Sequence, residues 1–182
     1  MSSALPVVDV SVVHDPSLSL FQKVLLVTDG TVTQLIELYT GESIRVQKIE
    51  NQIVTNQAAP TDVHRLLNTS DENSLLRRII LLRGTNKSFL YAESYFVMER
   101  LPADMRHQLE TTNIPIGLLW REARLETHRE IIAYHRERNA GVANCLSVDI
   151  DTELLSRTYL LYTKGQPMGM ITENFPASYF TE

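Results

Sequence analysis

The chain has 182 residues, of which 43% are hydrophobic and 21% charged, and its formal net charge is -5. This length and composition are typical of one globular domain and exclude collagen and a disordered tail. A disulfide scaffold is excluded because Cys145 is the single cysteine. We therefore interpret residues 1–182 as one domain. The negative net charge argues against nucleic acid or an anionic membrane as the main partner.

The sequence also bears on location. No apolar run reaches the roughly 18–20 residues that a membrane-spanning helix needs, so we predict no membrane span. The segment from Met1 to Ala4 has no basic stretch followed by an apolar core and a cleavage site, which favours the cytoplasm. Lone cysteines such as Cys145 are most often inert small hydrophobes.

The first half of the chain predicts two helices and then a strand. Apolar residues recur at helical spacing after Pro16, and this helix should stop before Asp29-Gly30. A second helix should begin near Thr31 or Thr33 and end at Gly41, where a left-handed residue is least costly as glycine. Residues 43–49 alternate like a strand, and residues 51–73 form a polar excursion with room for one short helix.

The second half predicts two hairpins with helices between them. The predicted elements are a buried strand over 75–82, its partner over 89–98, a helix opened by Pro102, a longer helix over 121–138, and a hairpin of 157–163 with 167–175. Strands paired through short turns, with helices inserted between the pairs, indicate an antiparallel sheet covered by helices on one face. The fold class is therefore α+β.

Several catalytic motifs are missing from the sequence. It contains no Gly-rich phosphate loop, no His-Glu-x-x-His helix and no Gly-x-Ser-x-Gly elbow, which disfavours a nucleotide or metal enzyme. His128 and His135 lie seven residues apart on the predicted helix, but two histidines make a poor metal site, so we interpret them as solvated.

The predicted helix over 121–138 carries five arginines, which four glutamates nearly balance. One interpretation is a solvated face that pairs with itself. The alternative is that one arginine, Arg124 or Arg129, turns toward a bound anion. Nucleic-acid binding by this helix is disfavoured.

Arg77 and Arg78 are unusual because they interrupt a strand that is otherwise leucine and isoleucine. A buried guanidinium needs an anionic partner, and alternation places the two arginines on opposite faces. Glu173 presents the opposite case, since it shares a face with Ile171 and Phe175, where desolvation would favour the neutral acid that a general acid requires. The alternative is a structural Arg77–Glu173 ion pair between neighbouring strands.

Four segments, read in order, resemble one enzyme family. They are Arg77-Arg78-Ile79-Ile80-Leu81-Leu82, Pro115-Ile116-Gly117, Gly165-Gln166-Pro167 and Ile171-Thr172-Glu173-Asn174-Phe175-Pro176-Ala177-Ser178. The chain resembles chorismate pyruvate-lyase from about Leu25 to Phe180. The resemblance implies one α+β domain in which an antiparallel sheet and helical flaps enclose the ligand. It also implies elimination of pyruvate from chorismate to give 4-hydroxybenzoate, without a metal or nucleotide cofactor.

The resemblance also assigns residues. It implies that Arg77 and Glu173 are catalytic, and that backbone amides at Val32 and Ile116 hold ligand carboxylates. The other candidate substrate-binding residues are Gly117, Arg78 and Arg124.

The chain departs from the best-known bacterial members at Glu93, where they carry arginine, and in a longer segment over 139–153. A reversed charge at Glu93 would lie near the anion site. These differences are typical of a divergent branch such as the cyanobacterial type.

Two other functions remain open at this point. Effector-binding domains of GntR-type regulators share this fold and bind small ligands without chemistry. Only about 15 residues precede the first predicted helix, which disfavours direct DNA contact but leaves a stand-alone sensor. A lyase acting on a related cyclohexadiene carboxylate is the other alternative. In each case the partner is a small molecule, and the chain would act as a monomer or small homo-oligomer.

Overall fold

The computed structural model describes residues 7–54, 58–70, 72–112, 119 and 126–182. The helices are α1 (Ser11–His14), α2 (Leu20–Val27), α3 (Val32–Thr40), α4 (Thr61–Leu67), α5 (Ala103–Thr111) and α6 (Ala140–Leu146), with short 3₁₀ turns at Met98–Arg100 and Ala177–Tyr179. The strands are β1 (Arg45–Val54), β2 (Leu75–Arg83), β3 (Ser88–Val97), β4 (His128–Glu137), β5 (Leu154–Thr163) and β6 (Gln166–Pro176). No described helix is long and apolar enough to cross a membrane.

The strands form one six-stranded sheet in the order β1-β2-β3-β6-β5-β4, and every neighbouring pair is antiparallel. Both predicted hairpins, β2–β3 and β5–β6, are confirmed. The second turns at Lys164 and Gly165, whose φ angles of 48° and 76° match the two left-handed positions of a type I′ turn. Pairing of β3 with β6 joins the two hairpins, so the middle of the sheet is built from residues far apart in the chain.

Helices cover both faces of the sheet. On one face, α2, α3 and α5 contribute Leu25, Ile36 and Met105 to a large cluster around Phe96 and Phe175. On the other face, α4 and α6 pack against the alternate residues of β2 and β3. The α+β class is confirmed, while the helices divide between two faces rather than lying on one.

The first two predicted helices are confirmed at the ends that matter for the site. Ser19 caps α2 in a reciprocal capping box with Gln22, and the helix ends before Asp29-Gly30. Gly41 ends α3 with a φ angle of 69°, in the left-handed conformation. Residues 28–31 therefore connect two fixed helices and cross over the sheet.

The long helix predicted over 121–138 is wrong. Residues 128–137 form β4, which pairs along its length with β5 and has a bulge between Ile131 and Ala133. Residues 121–125 lie outside the described part of the chain. β4 is an edge strand with charged side chains, which keep an unpaired edge soluble but also mimic the charge spacing of a solvated helix. Hydrogen bonding to β5 outweighs local helix propensity here.

Helix α6 lies in the longer 139–153 segment and was not predicted, because seven residues are too few for a clear period. The Asn139 side chain accepts a hydrogen bond from the amide of Val142 and begins the helix. Cys145 on this helix is a free and exposed thiol. His128 and His135 are exposed as predicted.

Gly169 on β6 lies against the buried ring of Phe96. An added Cβ would lie 2.5 Å from Phe96 Cδ1 and 3.3 Å from the carbonyl oxygen of Tyr95. We expect Gly169→Ala to lower the free energy of unfolding by about 1–3 kcal/mol, because the ring cannot move without disturbing the core. Urea unfolding measures this loss. Gly141→Ala in α6, where the nearest atom would be 3.4 Å away, is the control and should not destabilise. Equal stability of the two variants would contradict this account of Gly169.

Candidate active site

A pocket lies between the sheet and the start of α3, on the face covered by α2, α3 and α5. Strands β2, β3, β5 and β6 form its floor, and residues 30–33 form the opposite wall. The lining residues are Gly30, Thr31, Val32, Thr33, Ile80, Leu82, Leu90, Ala92, Ser94, Arg129, Tyr159, Ile171 and Glu173. The pocket is therefore mainly apolar, with a few polar groups that converge on it, as ligand sites usually are.

Val32, one of the residues assigned by resemblance, lies in this wall as the first residue of α3. The first amides of a helix have no acceptor within the helix, and Thr31 makes no side-chain cap here. The amides of Val32 and Thr33 are therefore available to an anion in the pocket.

Glu173 projects from β6 into the pocket and is 8% exposed. It shares its face with Ile171 and Phe175, as the alternation predicts. Arg157 on β5 donates from Nε to Glu173 Oε2 at 2.7 Å, and the Tyr159 hydroxyl donates to Oε1 at 3.2 Å. The carboxylate is thus held at both oxygens while it faces the cavity.

Arg157 was not identified from the sequence, although its register position opposite Glu173 explains the pair. Its guanidinium is 1% exposed and also donates to the carbonyl oxygens of Leu26 and Thr28, at 3.2 and 2.8 Å. Burial alone would lower the pKa of Arg157, but the negative charge of Glu173 raises it above its ordinary value. Arg157 therefore ties Glu173 to the end of α2, from which residues 28–33 lead into the pocket wall.

Two cations lie close to the Tyr159 ring. The guanidinium carbons of Arg157 and Arg129 are 5.2 and 5.3 Å from the ring centroid. Burial, and next the negative charge of Glu173, raise the pKa of Tyr159 above its usual range. The hydroxyl is therefore a donor to Glu173 throughout the neutral and mildly alkaline range.

Arg77 lies on the opposite face of the sheet, away from the pocket. Its Nε donates to Glu93 Oε1 at 2.8 Å, a second nitrogen donates to Glu50, and the Tyr95 hydroxyl donates to Glu93 at 2.9 Å. Burial alone would lower the pKa of Arg77, but its contacts with Glu93 and Glu50 raise it. The predicted Arg77–Glu173 ion pair is wrong, and Glu93 is not a reversed charge in the pocket.

Arg78 lies on the pocket face, in one row across the sheet with Asn51, Ser94 and Ile171. Its side chain is 1% exposed, and none of its three guanidinium nitrogens has an acceptor among the described residues. Burial lowers the pKa of Arg78 to about 10. A buried cation without a counter-ion is costly, so this position is suited to an anionic ligand.

The surroundings of Arg78 add to its positive potential. Burial, and next the charge of Arg78, lower the pKa of Lys48 on the neighbouring strand. The Asn51 amide donates to the carbonyl oxygens of Leu109 and Glu110 at the end of α5, while its Oδ1 is buried without a described donor. One end of the pocket face therefore has the Lys48 ammonium group and the Arg78 guanidinium group, with no carboxylate among their described contacts.

Of the remaining candidate residues, three lie outside the described part of the chain and one lines the pocket. Ile116, Gly117 and Arg124 lie outside the described residues. Arg129, one of the two arginines considered for anion binding, lines the pocket from β4. Among the described residues, no group of three or more histidine, cysteine, aspartate or glutamate side chains could hold a metal ion.

Comparison with known proteins identifies the family. The family described as "Chorismate pyruvate-lyase Rv2949c-like" matches residues 26–181. The chain belongs to this family. A chorismate pyruvate-lyase from Mycobacterium leprae is 29% identical over 163 residues, which cover 88% of this chain and 76% of the relative. One from Mycobacterium tuberculosis is 25% identical over 176 residues, with 88% and 81% covered.

The resemblance of the sequence motifs to chorismate pyruvate-lyase is thus confirmed at the level of the family. The two relatives are mycobacterial, and assignment to a cyanobacterial type stays a prediction. Among solved structures, the effector domain of PhnF from Mycobacterium smegmatis has a TM-score of 0.65 at 14% identity, covering 84% of this chain and 92% of that domain. That likeness shows a common fold, in line with the expectation that effector-binding domains share it.

Proposed function

We propose that this member of the family eliminates pyruvate from chorismate to give 4-hydroxybenzoate. One observation carries the proposal: Glu173, a fixed carboxylate, lines an apolar pocket, and Arg78, a buried cation without a described counter-ion, lies on the same face of the sheet in register with Ser94, which lines that pocket. Chorismate combines a largely apolar ring with two carboxylates. Elimination of pyruvate from this substrate requires a group that binds the anion and a group that transfers a proton.

In this proposal Arg78 holds a carboxylate of chorismate through charge-assisted hydrogen bonds. The free amide of Val32 binds a carboxylate from the opposite wall. Ile116, Gly117 and Arg124 complete the set of candidate substrate-binding residues. Arg78 takes the catalytic role that the family resemblance implies for Arg77, because Arg77 is paired on the other face.

The elimination breaks the ether bond between the ring and the enolpyruvyl group. The hydrogen on the hydroxyl-bearing ring carbon leaves as a proton, and its bonding electrons complete the aromatic ring. The departing enolpyruvate takes up a proton and becomes pyruvate. Glu173 is the proton carrier in this scheme, oriented by Arg157 and Tyr159. The reaction is redox-neutral and is driven by aromatisation, so it needs no electron acceptor.

Incubation of the purified protein with chorismate, without added metal or nucleotide, tests the proposal. We expect equimolar 4-hydroxybenzoate, followed by chromatography, and pyruvate, followed by a coupled assay. Isochorismate and prephenate are the comparison substrates, because turnover of either in preference to chorismate would support a lyase for a related carboxylate. Chorismate that stays intact would overturn the proposal.

Tyr159→Phe should lower kcat about 5–20-fold, which corresponds to the loss of one hydrogen bond of about 1–2 kcal/mol. The packed ring is retained, so the melting temperature should change little. Because the pKa of Tyr159 is raised, its hydroxyl stays protonated, and the loss should be the same from about pH 6 to pH 9. Rates measured across this range check the expectation. A deficit that disappears toward pH 9 would mean that the hydroxyl ionises and does not act as a fixed donor.

Ligand binding without chemistry is the second candidate function, favoured by the fold shared with the PhnF effector domain. Chorismate would then raise the melting temperature and be recovered unchanged. The same incubation distinguishes the two functions.

A further inference from the structure

We propose that Arg129 is a second anion-binding group of the pocket and makes it selective for ligands that carry a carboxylate at both ends. This inference deepens the proposed function and rests on it for the position of the ligand. Arg129 projects from β4 and lines the pocket together with Tyr159 and Glu173. It lies opposite Leu161 in the register, on the same sheet face as Tyr159.

The Arg129 guanidinium has no carboxylate partner within the described residues. Its contacts are a hydrogen bond of 3.3 Å to the carbonyl oxygen of Gly30 and the stacking distance of 5.3 Å to the Tyr159 ring. Other arginines of this half of the sheet are ion-paired: Arg157 with Glu173, and Arg136 with Asp15 and Glu153. Most of the donors of Arg129 are thus available to a ligand in the pocket it lines.

Arg78 and Arg129 lie at opposite ends of the pocket face. Arg78 is on β2 and Arg129 on β4, with β3, β6 and β5 between them. Four strand spacings of about 4.8 Å separate the two backbones by roughly 19 Å, and both long side chains extend over the same face. Glu173 lies on β6, in the middle of this span. A ligand held at both ends would pass over the carboxylate.

The charges on this face of the sheet favour a dianion. Arg157 offsets the charge of Glu173, and neither Arg78 nor Arg129 has an anionic partner among the described residues. A monocarboxylate can neutralise one of them. A dicarboxylate can neutralise both, and the second ion pair should discriminate between the two ligand classes.

Calorimetric titration with two unreactive probes tests this assignment. 4-(Carboxymethoxy)benzoate carries carboxylates at both ends of an aromatic ring, and 4-methoxybenzoate carries one. We expect Arg129→Met to lower the affinity for the dicarboxylate about 10–100-fold and to change the affinity for the monocarboxylate less than about 3-fold. Arg129→Lys should recover part of the loss because it keeps the charge. Arg138→Met, at an exposed arginine beyond the end of β4, is the charge-matched control and should leave both affinities unchanged.

Four results would overturn the assignment: no dicarboxylate binding by the unaltered protein, unchanged binding of both probes by Arg129→Met, equal losses for both probes in Arg129→Met, or the same selective loss in Arg138→Met. Chorismate turnover is measured in parallel on the same preparations. Selective loss of the dicarboxylate in a protein that does not turn over chorismate would support Arg129 while overturning the lyase proposal. Unchanged probe binding by Arg129→Met, in a protein that turns over chorismate, would overturn the Arg129 assignment while supporting the lyase proposal.

Discussion

Replacement of Glu173 by glutamine is expected to lower kcat for chorismate elimination by about 10²–10⁴-fold, the usual contribution of a positioned acid or base. Glutamine has nearly the same shape, its amide oxygen can still accept from Arg157, and its NH2 group can donate to the Tyr159 hydroxyl oxygen, so the pocket geometry should be kept. It cannot accept and release a proton. Substrate affinity should therefore change much less than kcat. Single-turnover rates, with circular dichroism to establish the native fold, measure this effect.

Glu93→Gln is the matched control for this experiment. Glu93 is also a glutamate in the central strands and is also paired with an arginine, but it lies on the other face of the sheet. Its replacement should leave turnover within about 3-fold of the unaltered protein, because an interaction outside the pocket cannot stabilise the transition state directly. Normal turnover in Glu173→Gln would remove Glu173 from the mechanism. Loss of turnover in Glu93→Gln alone would move the site to the opposite face.

The sequence predicted the position of Glu173 correctly because alternation along a strand is a local property. A glutamate between Ile171 and Phe175 has to share their face, whichever strand lies next to it. The residue that pairs with Glu173 could not be predicted from the local sequence pattern. Arg157 comes from β5, and nothing in the local pattern states which register brings it opposite Glu173.

The same limit explains the choice between Arg77 and Arg78. Alternation shows that the two side chains lie on opposite faces, but not which face carries the pocket. That depends on how α2 and α3 cover one side while α4 and α6 cover the other. Glu50 and Glu93, which neutralise Arg77, come from β1 and β3. The choice is made by long-range contacts, and so is the strand structure of 128–137.

Arg78→Met should lower the affinity for chorismate at least about 100-fold, since charge-assisted hydrogen bonds contribute about 1.5–3 kcal/mol each. The same change should stabilise the free protein by about 1–3 kcal/mol, because a desolvated guanidinium without a described acceptor is replaced by an apolar side chain of similar length. Gain of stability together with loss of binding is the signature of a residue kept for its ligand. Urea unfolding and calorimetric titration of chorismate measure the two effects.

Arg77→Met, at the neighbouring position, should destabilise the protein and leave turnover nearly normal. It leaves Glu50 and Glu93 half-buried without their cation, so we expect a loss of about 1–2 kcal/mol of unfolding free energy and turnover within about 3-fold of normal. The two variants remove the same group from adjacent residues of one strand, and they differ only in the face that loses a charge. An inactive but natively folded Arg77→Met beside an active Arg78→Met would show that the ligand binds on the β2 face that carries Arg77. The expected pattern would instead identify Arg78 as the arginine that makes this pocket specific for an anion.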